Sequence, residues 1–473
     1  MNDEKNVAEP EILLSDTTRR HSCSYCGTMV VVGAQKCRGC KRWLQPQGRH
    51  ASRFSRSMAL VIAAVVAVLA VLTSSRPSPV GEAPPLMRVS PTAIGSTAKK
   101  APPTSPHAAV SAASSAPADS PPWRSGSIQL DVHPLDLVFS SDSKTLYVSG
   151  DDASVRAYDV TSKKILHMMK VPAQGDRLRL LNDRYLAVIR KTDAAQIPII
   201  DVTAWERDPV LVPVGANPAD VVALPDGKTA VSASSRGRRL TWFDLKNGHR
   251  RDNIRLPHET RQLLLVQADG HPAIAAIGRL SYAGQPAGAW LNLFDPAESP
   301  FGATRRSIAV GRDPRQSAIS LDGRRLILVD HVANTASLLR VDQQTERRVI
   351  TIDRGPIAAF FMHNDSIGVV INAQSHTATV IDVERFEKSN TIMLAGTPSH
   401  AAVTKQGDHL VVALGGEQWP PKESGAVILS GSPLRVSATI DTGRGASRVA
   451  TAPDGSRAAV ACYYDMAITV IEH

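Results

Sequence analysis

Four of the five cysteines in this 473-residue chain stand as two pairs, Cys23 with Cys26 and Cys37 with Cys40. Two cysteines three apart on a tight knuckle can turn both sulfurs toward one ion. Two such knuckles supply four thiolates in the tetrahedron that Zn²⁺ prefers. Gly27 follows the first pair and Gly39 lies inside the second, so the backbone is free to turn at each. Four protein ligands close the coordination sphere, which points to a structural ion and not a catalytic one. Two disulfides are the competing arrangement and would need an oxidising compartment. Covalent haem is excluded, because Gly27 and Lys41 stand where its attachment motif needs His.

The run CSYCG…KCRGC resembles a short zinc ribbon over residues 21–44. So small a unit has almost no apolar core and should need its metal to fold. The resemblance leaves the ribbon's role open; protein docking is the first expectation, and ribbons elsewhere also bind nucleic acid.

The surroundings of this module assign its compartment. Residues 17–57 carry nine Lys or Arg, and no Asp or Glu occurs between Thr17 and Gly81. Residues 58–72, MALVIAAVVAVLAVL, are uniformly apolar. With the small polar residues at 57 and 73–75 they reach about 19 residues, enough to cross about 30 Å of hydrocarbon as a helix spanning 58–75. A buried core helix and a cleaved signal peptide are the alternatives. The first sits poorly beside the tract that follows, and the second would need a charged region more than 55 residues long. Cationic residues before the segment, against Arg76 alone just after it, place the N-terminus in the cytoplasm by the positive-inside rule. The expectation is a single-pass inner-membrane protein with its C-terminal part periplasmic. The basic stretch 45–57 should lie against anionic lipid headgroups. Residues 76–122 are rich in Pro, Ser and Ala and read as an extended tether.

From about residue 126 the pattern changes to short β-branched runs separated by turns. Hairpin signals begin at Asp142, Asn182, Asp226, Asp269, Asp322, Asn364, Gln406 and Asp454, in steps of 40, 44, 43, 53, 42, 42 and 48 residues. Eight residues before five of them stands a proline: Pro134, Pro218, Pro314, Pro356 or Pro398. Further along, six repeats carry an apolar residue followed by Asp, as in Tyr158-Asp159 and Ile381-Asp382. The last two instead have Leu429-Ser430 and Ile471-Glu472. A period near 43 residues with four short strands per unit predicts an all-β fold, an eight-bladed β-propeller over residues 123–473. Seven blades are the alternative, if the repeat at Asn182 or at Asp269 is misread. The final repeat holds three strands. The run 127–132 (SIQLDV) is therefore expected to supply the fourth and close the ring. VGANPADVVALPDGKTAVSA and VGRDPRQSAISLDGRRLILVD resemble the bacterial propellers named for a Tyr-Val-Thr-Asn repeat. That resemblance spans about 340 residues and implies the fold, not a function.

Propeller ligands generally sit at the mouth of the central channel, where the innermost strands begin. Two residues beyond the proline position stand Asp136, Asp176, Asp220, Leu263, Gln316, Ala358, His400 and Arg448. The six polar ones are the candidate site. They predict either a rim whose charges pair with one another or a site for a small polar ligand or peptide. No nucleophile–base pair is evident, and the fourteen His show no metal-ligand spacing. His363 and His376 read as loop residues and Cys462 as a buried thiol. The long loops at 279–289 and 416–425, the latter with Trp419, Pro420 and Pro421, are candidates for partner contact.

From residue 123 onward, 40 basic and 37 acidic residues nearly cancel, so the +10 net charge gives no electrostatic reason to expect nucleic acid there. The expectation is a non-enzymatic binding or scaffold protein. An envelope enzyme or cofactor-bearing propeller, lactonase-like or redox-related, is the alternative.

Overall fold

The structure is a computed structural model that describes residues 20–22, 29–31, 123–190, 195–280, 288–296, 304–342, 347–416 and 424–473. Chain contacts divide it into two units, Met1–Ala109 and Val110–His473. In the first, Arg20–Ser22 pairs antiparallel with Met29–Val31. Cys23, Cys26, Cys37, Cys40, the apolar run at 58–72 and the tether lie outside the described residues.

The second unit is all-β. Among the described residues it forms eight four-stranded antiparallel sheets, each a blade. Seven blades use consecutive strands. Blade 1 runs Pro134–Phe139, Thr145–Gly150, Ser154–Asp159, Ile165–Lys170, and blades 2 to 7 follow over residues 177–213, 218–255, 259–311, 318–351, 356–393 and 398–440. The eighth holds Ala446–Thr451, Arg457–Cys462 and Ala467–Glu472, and takes its fourth strand, Arg124–Gln129, from the start of the ring. The repeats at Asn182 and Asp269 both form complete blades, which settles the count at eight. The closing strand begins three residues earlier than its sequence pattern implied. Asp131, Val132 and His133 instead bend into blade 1, where Asp131 meets Arg156 at 3.2 Å and the His133 N–H donates to Asp151.

The repeat signals have local causes. The turn aspartates accept N–H groups two residues on: Lys144 to Asp142, Lys228 to Asp226, Arg324 to Asp322 and Ser456 to Asp454. Each of these four hairpins is held by such a side-chain bond. The apolar-Asp pairs do the same for the next hairpin, with Asp382 accepting from Glu384 and Arg385.

Second and third strands are buried on both faces, as along the whole of Thr229–Ser234. Blades stack face to face, so these strands have no solvent side and lose the alternation of a half-exposed sheet. Apolar clusters accordingly span neighbouring blades. Leu146 and Tyr158 of blade 1 pack with Ile468 and Val470 of blade 8, while Val369 and Ile371 pack with Leu410 and Val412. Outer strands such as Glu387–Met393 are mostly exposed and polar.

Seams between blades are tight. A Cβ placed on Gly415 would lie 1.9 Å from the Ala446 carbonyl oxygen of the next blade. Gly415→Ala is therefore expected to destabilise the propeller by about 2 kcal/mol through overpacking. Urea unfolding checks this, and an unchanged midpoint would refute the tight seam.

Candidate functional site

The channel wall is built by the innermost strands. In six blades that strand carries a bulge just inside its start. It falls between Pro134 and Asp136, Pro218 and Asp220, Thr260 and Gln262, Pro356 and Ala358, Pro398 and His400, and Ala446 and Arg448. A bulge re-aims the following side chain, here into the seam with the next blade.

Neighbouring inner strands diverge there, and their backbone groups need partners. The side chains after the bulges provide them. Asp136 accepts the Leu178 N–H at 2.8 Å, Asp220 accepts Leu263 N–H at 3.1 Å, and His400 Nδ1 accepts Val449 N–H at 3.2 Å. Gln262 both accepts from the Ser317 N–H and donates to the Ser317 carbonyl. Between blades 5 and 6 the backbone serves directly, with Ala359 N–H donating to the Gln316 carbonyl. In every case the donor follows the next blade's own ring position. This rule places Arg177 and Gln262 in the ring, where counting from the turns put Asp176 and Leu263. Both differ by one residue. Blade 2 turns more tightly than blade 1 and blade 4 has ten-residue strands, so the distance from turn to channel is not constant. Leu263 is instead 2% exposed and packs in the apolar seam between blades 3 and 4.

Ring positions alternate in charge across blades 8, 1, 2 and 3. Arg448 Nε lies 3.8 Å from Asp136, and Arg177 lies 3.5 Å and Arg179 3.1 Å from Asp220. Burial alone would raise the Asp220 carboxyl, but Arg179 and Arg177, with the Leu263 N–H, hold it below its ordinary value. Burial wins at Asp136 and pushes its carboxyl up, against the Leu178 N–H and Arg448.

His400 is the most perturbed base of the wall. Burial, then Arg448, Arg177 and Arg179, hold its imidazole down to about 3. The neutral ring is what the fold needs, since protonating Nδ1 would end its acceptance of the Val449 N–H. A histidine depressed on folding contributes stability above its unfolded value of about 6.5, lost as pH falls toward the folded value. Acidifying from pH 7 to pH 4 should thus remove on the order of 2 kcal/mol through this group, after discounting for solvent reaching the wall. A His400→Gln chain, which keeps an acceptor, should show a flatter pH–stability profile over that window. An identical slope would refute the assignment.

The ring lines a cavity of about 1020 Å³. It extends from Arg261 and Arg315, where the inner strands begin, to Asp365 and Gln406 at the turn end. Of the six sequence-predicted residues, Asp136, Asp176, Gln316, His400 and Arg448 line it, whereas Asp220 is 1% exposed behind Arg177 and Arg179.

A second constellation escaped the sequence reading. Asp313, 6% exposed, meets three guanidiniums: Arg261 at 2.9 Å and Arg279 at 3.3 Å on one oxygen, Arg315 at 3.0 Å on the other. All three arginines line the cavity. Two signals were available in the sequence: Arg315 directly follows the repeat proline Pro314, and Arg261 occupies the corresponding bulge position of blade 4.

Other expectations resolve simply. His363 and His376 occupy turns with positive φ, and Cys462 is fully buried, which pushes its thiol up. The loop residues 281–287 and 417–423, including Trp419, Pro420 and Pro421, lie outside the described residues. Among the described residues no group of His, Cys, Asp or Glu is placed to hold a metal, and no helix is long and apolar enough to cross a membrane.

Fold and channel together define an eight-bladed β-propeller with a polar, arginine-rich axial cavity. No family model matches the chain, and no curated protein matches it in sequence. Among solved structures it is similar to hydrazine synthase from Kuenenia stuttgartiensis. The identity is 18%, over 73% of this chain and 97% of that one, with a TM-score of 0.49.

Proposed function

We propose that this chain is a non-enzymatic, membrane-anchored binding protein. Its propeller presents the channel to a protein or small polar ligand outside the cytoplasm, and its N-terminal zinc ribbon docks a partner inside. The observation that carries the ligand reading is the channel wall. Six arginines, among them Arg177, Arg315 and Arg448, line it beside Asp136, Asp176 and Glu259, and the cavity is large enough for a small molecule. Charge pairing of this kind recognises a ligand by electrostatic complementarity without requiring bond chemistry.

The anchoring half of the reading is supported by the uninterrupted apolar run at 58–72 and the cationic stretch before it. Anionic lipid headgroups are the partner for residues 45–57. For the ribbon, the support is the cysteine spacing, with a short hairpin bracketing the first pair in sequence. The tether at 76–122 favours co-localisation of the two partners over rigid transmission between them.

Proximity labelling in the cell envelope tests the binding role. Specific neighbours recovered with the full chain should vanish when residues 123–473 are deleted. A cofactor absorption spectrum or lactone hydrolysis by the purified full chain would overturn the non-enzymatic reading. Metal analysis under reducing conditions should return one Zn²⁺ per chain, lost in Cys37→Ser, and a metal-free wild type would remove the ribbon.

A further inference from the structure

We infer that the Arg261–Arg279–Arg315 constellation is an oxyanion subsite that takes a phosphate-monoester group of the channel's ligand. The inference rests on reading the channel as a ligand site and names the chemistry of one end of it. Three cations converge on one buried carboxylate, that of Asp313, and one carboxylate cannot neutralise three guanidiniums.

The acidic groups nearby do not close the gap. Asp330 acts as counter-charge to Arg347, and its oxygens accept the backbone N–H groups of Arg312, Asp313, Val332 and Ala333; among the described residues it makes no ion pair with the three guanidiniums. Glu259 lines the same cavity and is the weakest of the influences on Arg261.

Donor supply points the same way. Each guanidinium carries five N–H donors in a planar fork, and the contacts to Asp313 use only a small part of them. Among the described residues, the Arg279 side chain is bound only through Nη1, while its Nε is buried without a hydrogen-bond partner, so its fork is far from saturated. Burial, followed by the charge of Arg279, makes the Arg261 cation harder to hold, and an added anion would relieve it. Asp313 then serves as the post that keeps three flexible side chains converged before the ligand arrives.

Fold irregularity makes the room. The inner strand of blade 5 is reduced to Ala318–Ile319, against six or seven residues in blades 1, 3, 6, 7 and 8. The wall beside Arg315 is therefore side chain and loop instead of continuous strand. A phosphate monoester, with three terminal oxygens and a double charge, can engage three forks at once. A carboxylate brings one negative charge instead of two and one fewer acceptor oxygen, so it should bind this triad more weakly.

The test titrates the full-length chain in detergent with inorganic phosphate at constant ionic strength, followed by calorimetry. One saturable site is expected, weakened about tenfold or more in Arg279→Gln and in Arg315→Gln. Arg251→Gln, on the outer strand of blade 3 and paired with Asp244, should change binding less than about twofold. Arg315→Lys keeps the charge without the fork and should fall between. Three results would overturn the subsite: no saturable binding, equal binding by the glutamine variants, or equal affinity for succinate. If phosphate fails while propeller-dependent neighbours are still recovered by labelling, the subsite falls and the binding role stands. If phosphate binds and no such neighbours exist, the channel is a small-molecule site and the protein-docking part of the reading falls.

Discussion

An Asp220→Ala chain is expected to lose about 3 kcal/mol of unfolding free energy, among the largest effects of any polar substitution in the channel. Asp220 is 1% exposed. Its oxygens hold Arg179 at 3.1 Å, Arg177 at 3.5 Å and the Leu263 N–H at 3.1 Å. Truncation leaves two wall cations without their counter-charge and one backbone donor without an acceptor. Breaking a buried pair ordinarily costs about 3–5 kcal/mol, and the partial exposure of both arginines argues for the lower end. Asp220→Asn restores an acceptor for the Leu263 N–H and should recover about 1 kcal/mol of the loss. Urea unfolding of the three chains side by side decides the matter. An Ala variant as stable as wild type would mean that the ring side chains are not seam staples.

The larger expected effect belongs to the ring closure. Ile128→Asp should cost about 4 kcal/mol or more, because it combines a lost apolar contact with an unpaired buried carboxylate. Ile128 is 2% exposed and packs with Leu137, Leu146 and Ile468 where blades 8 and 1 meet. It also stands in the strand that pairs six residues, Arg124 to Gln129, with Glu472 to Ala467. Losing that strand leaves blade 8 with three strands, exposes Ala467–Glu472 as an unpaired edge, and unties the start of the ring from its end. Hydrogen exchange should therefore accelerate first in Ala467–Glu472 and then in blade 1. Ser127→Asp, whose side chain alternates to the opposite face, is the control and should have a much smaller effect. Equal exchange in both variants would sink the closure argument.

Blade count, ring closure and hairpin positions were legible in the sequence because their causes are local. An aspartate two residues from the N–H it accepts, as at Asp142 and Asp226, leaves its mark within a few positions. A run buried on both faces, such as Thr229–Ser234, loses its alternation wherever it occurs. The three-strand final repeat demanded a partner, and only the first strand was unassigned. The start of that strand shifted by three residues because Asp131 and His133 are claimed by Arg156 and Asp151 of blade 1, contacts that span some twenty residues.

The channel could be located from the sequence but not composed. Asp136, His400 and Arg448 were found because their blades keep a constant distance from turn to channel. Arg177 and Gln262 were displaced by one residue because their blades do not. A one-residue slip moves a side chain to the other face of a strand, so counting along the chain fails wherever a turn or strand length changes. The Asp313 constellation assembles residues from 261 to 315 on three separate segments; repeat position marks Arg261 and Arg315 singly, but no spacing brings them to Asp313 and Arg279. By itself the sequence determined the ring, since turns and strand patterning act between near neighbours. Which side chains face the axis, and which of them meet, was decided only by the tertiary structure. Bulges and seams between blades set those directions, and their partners lie some 40 to 55 residues apart in the chain.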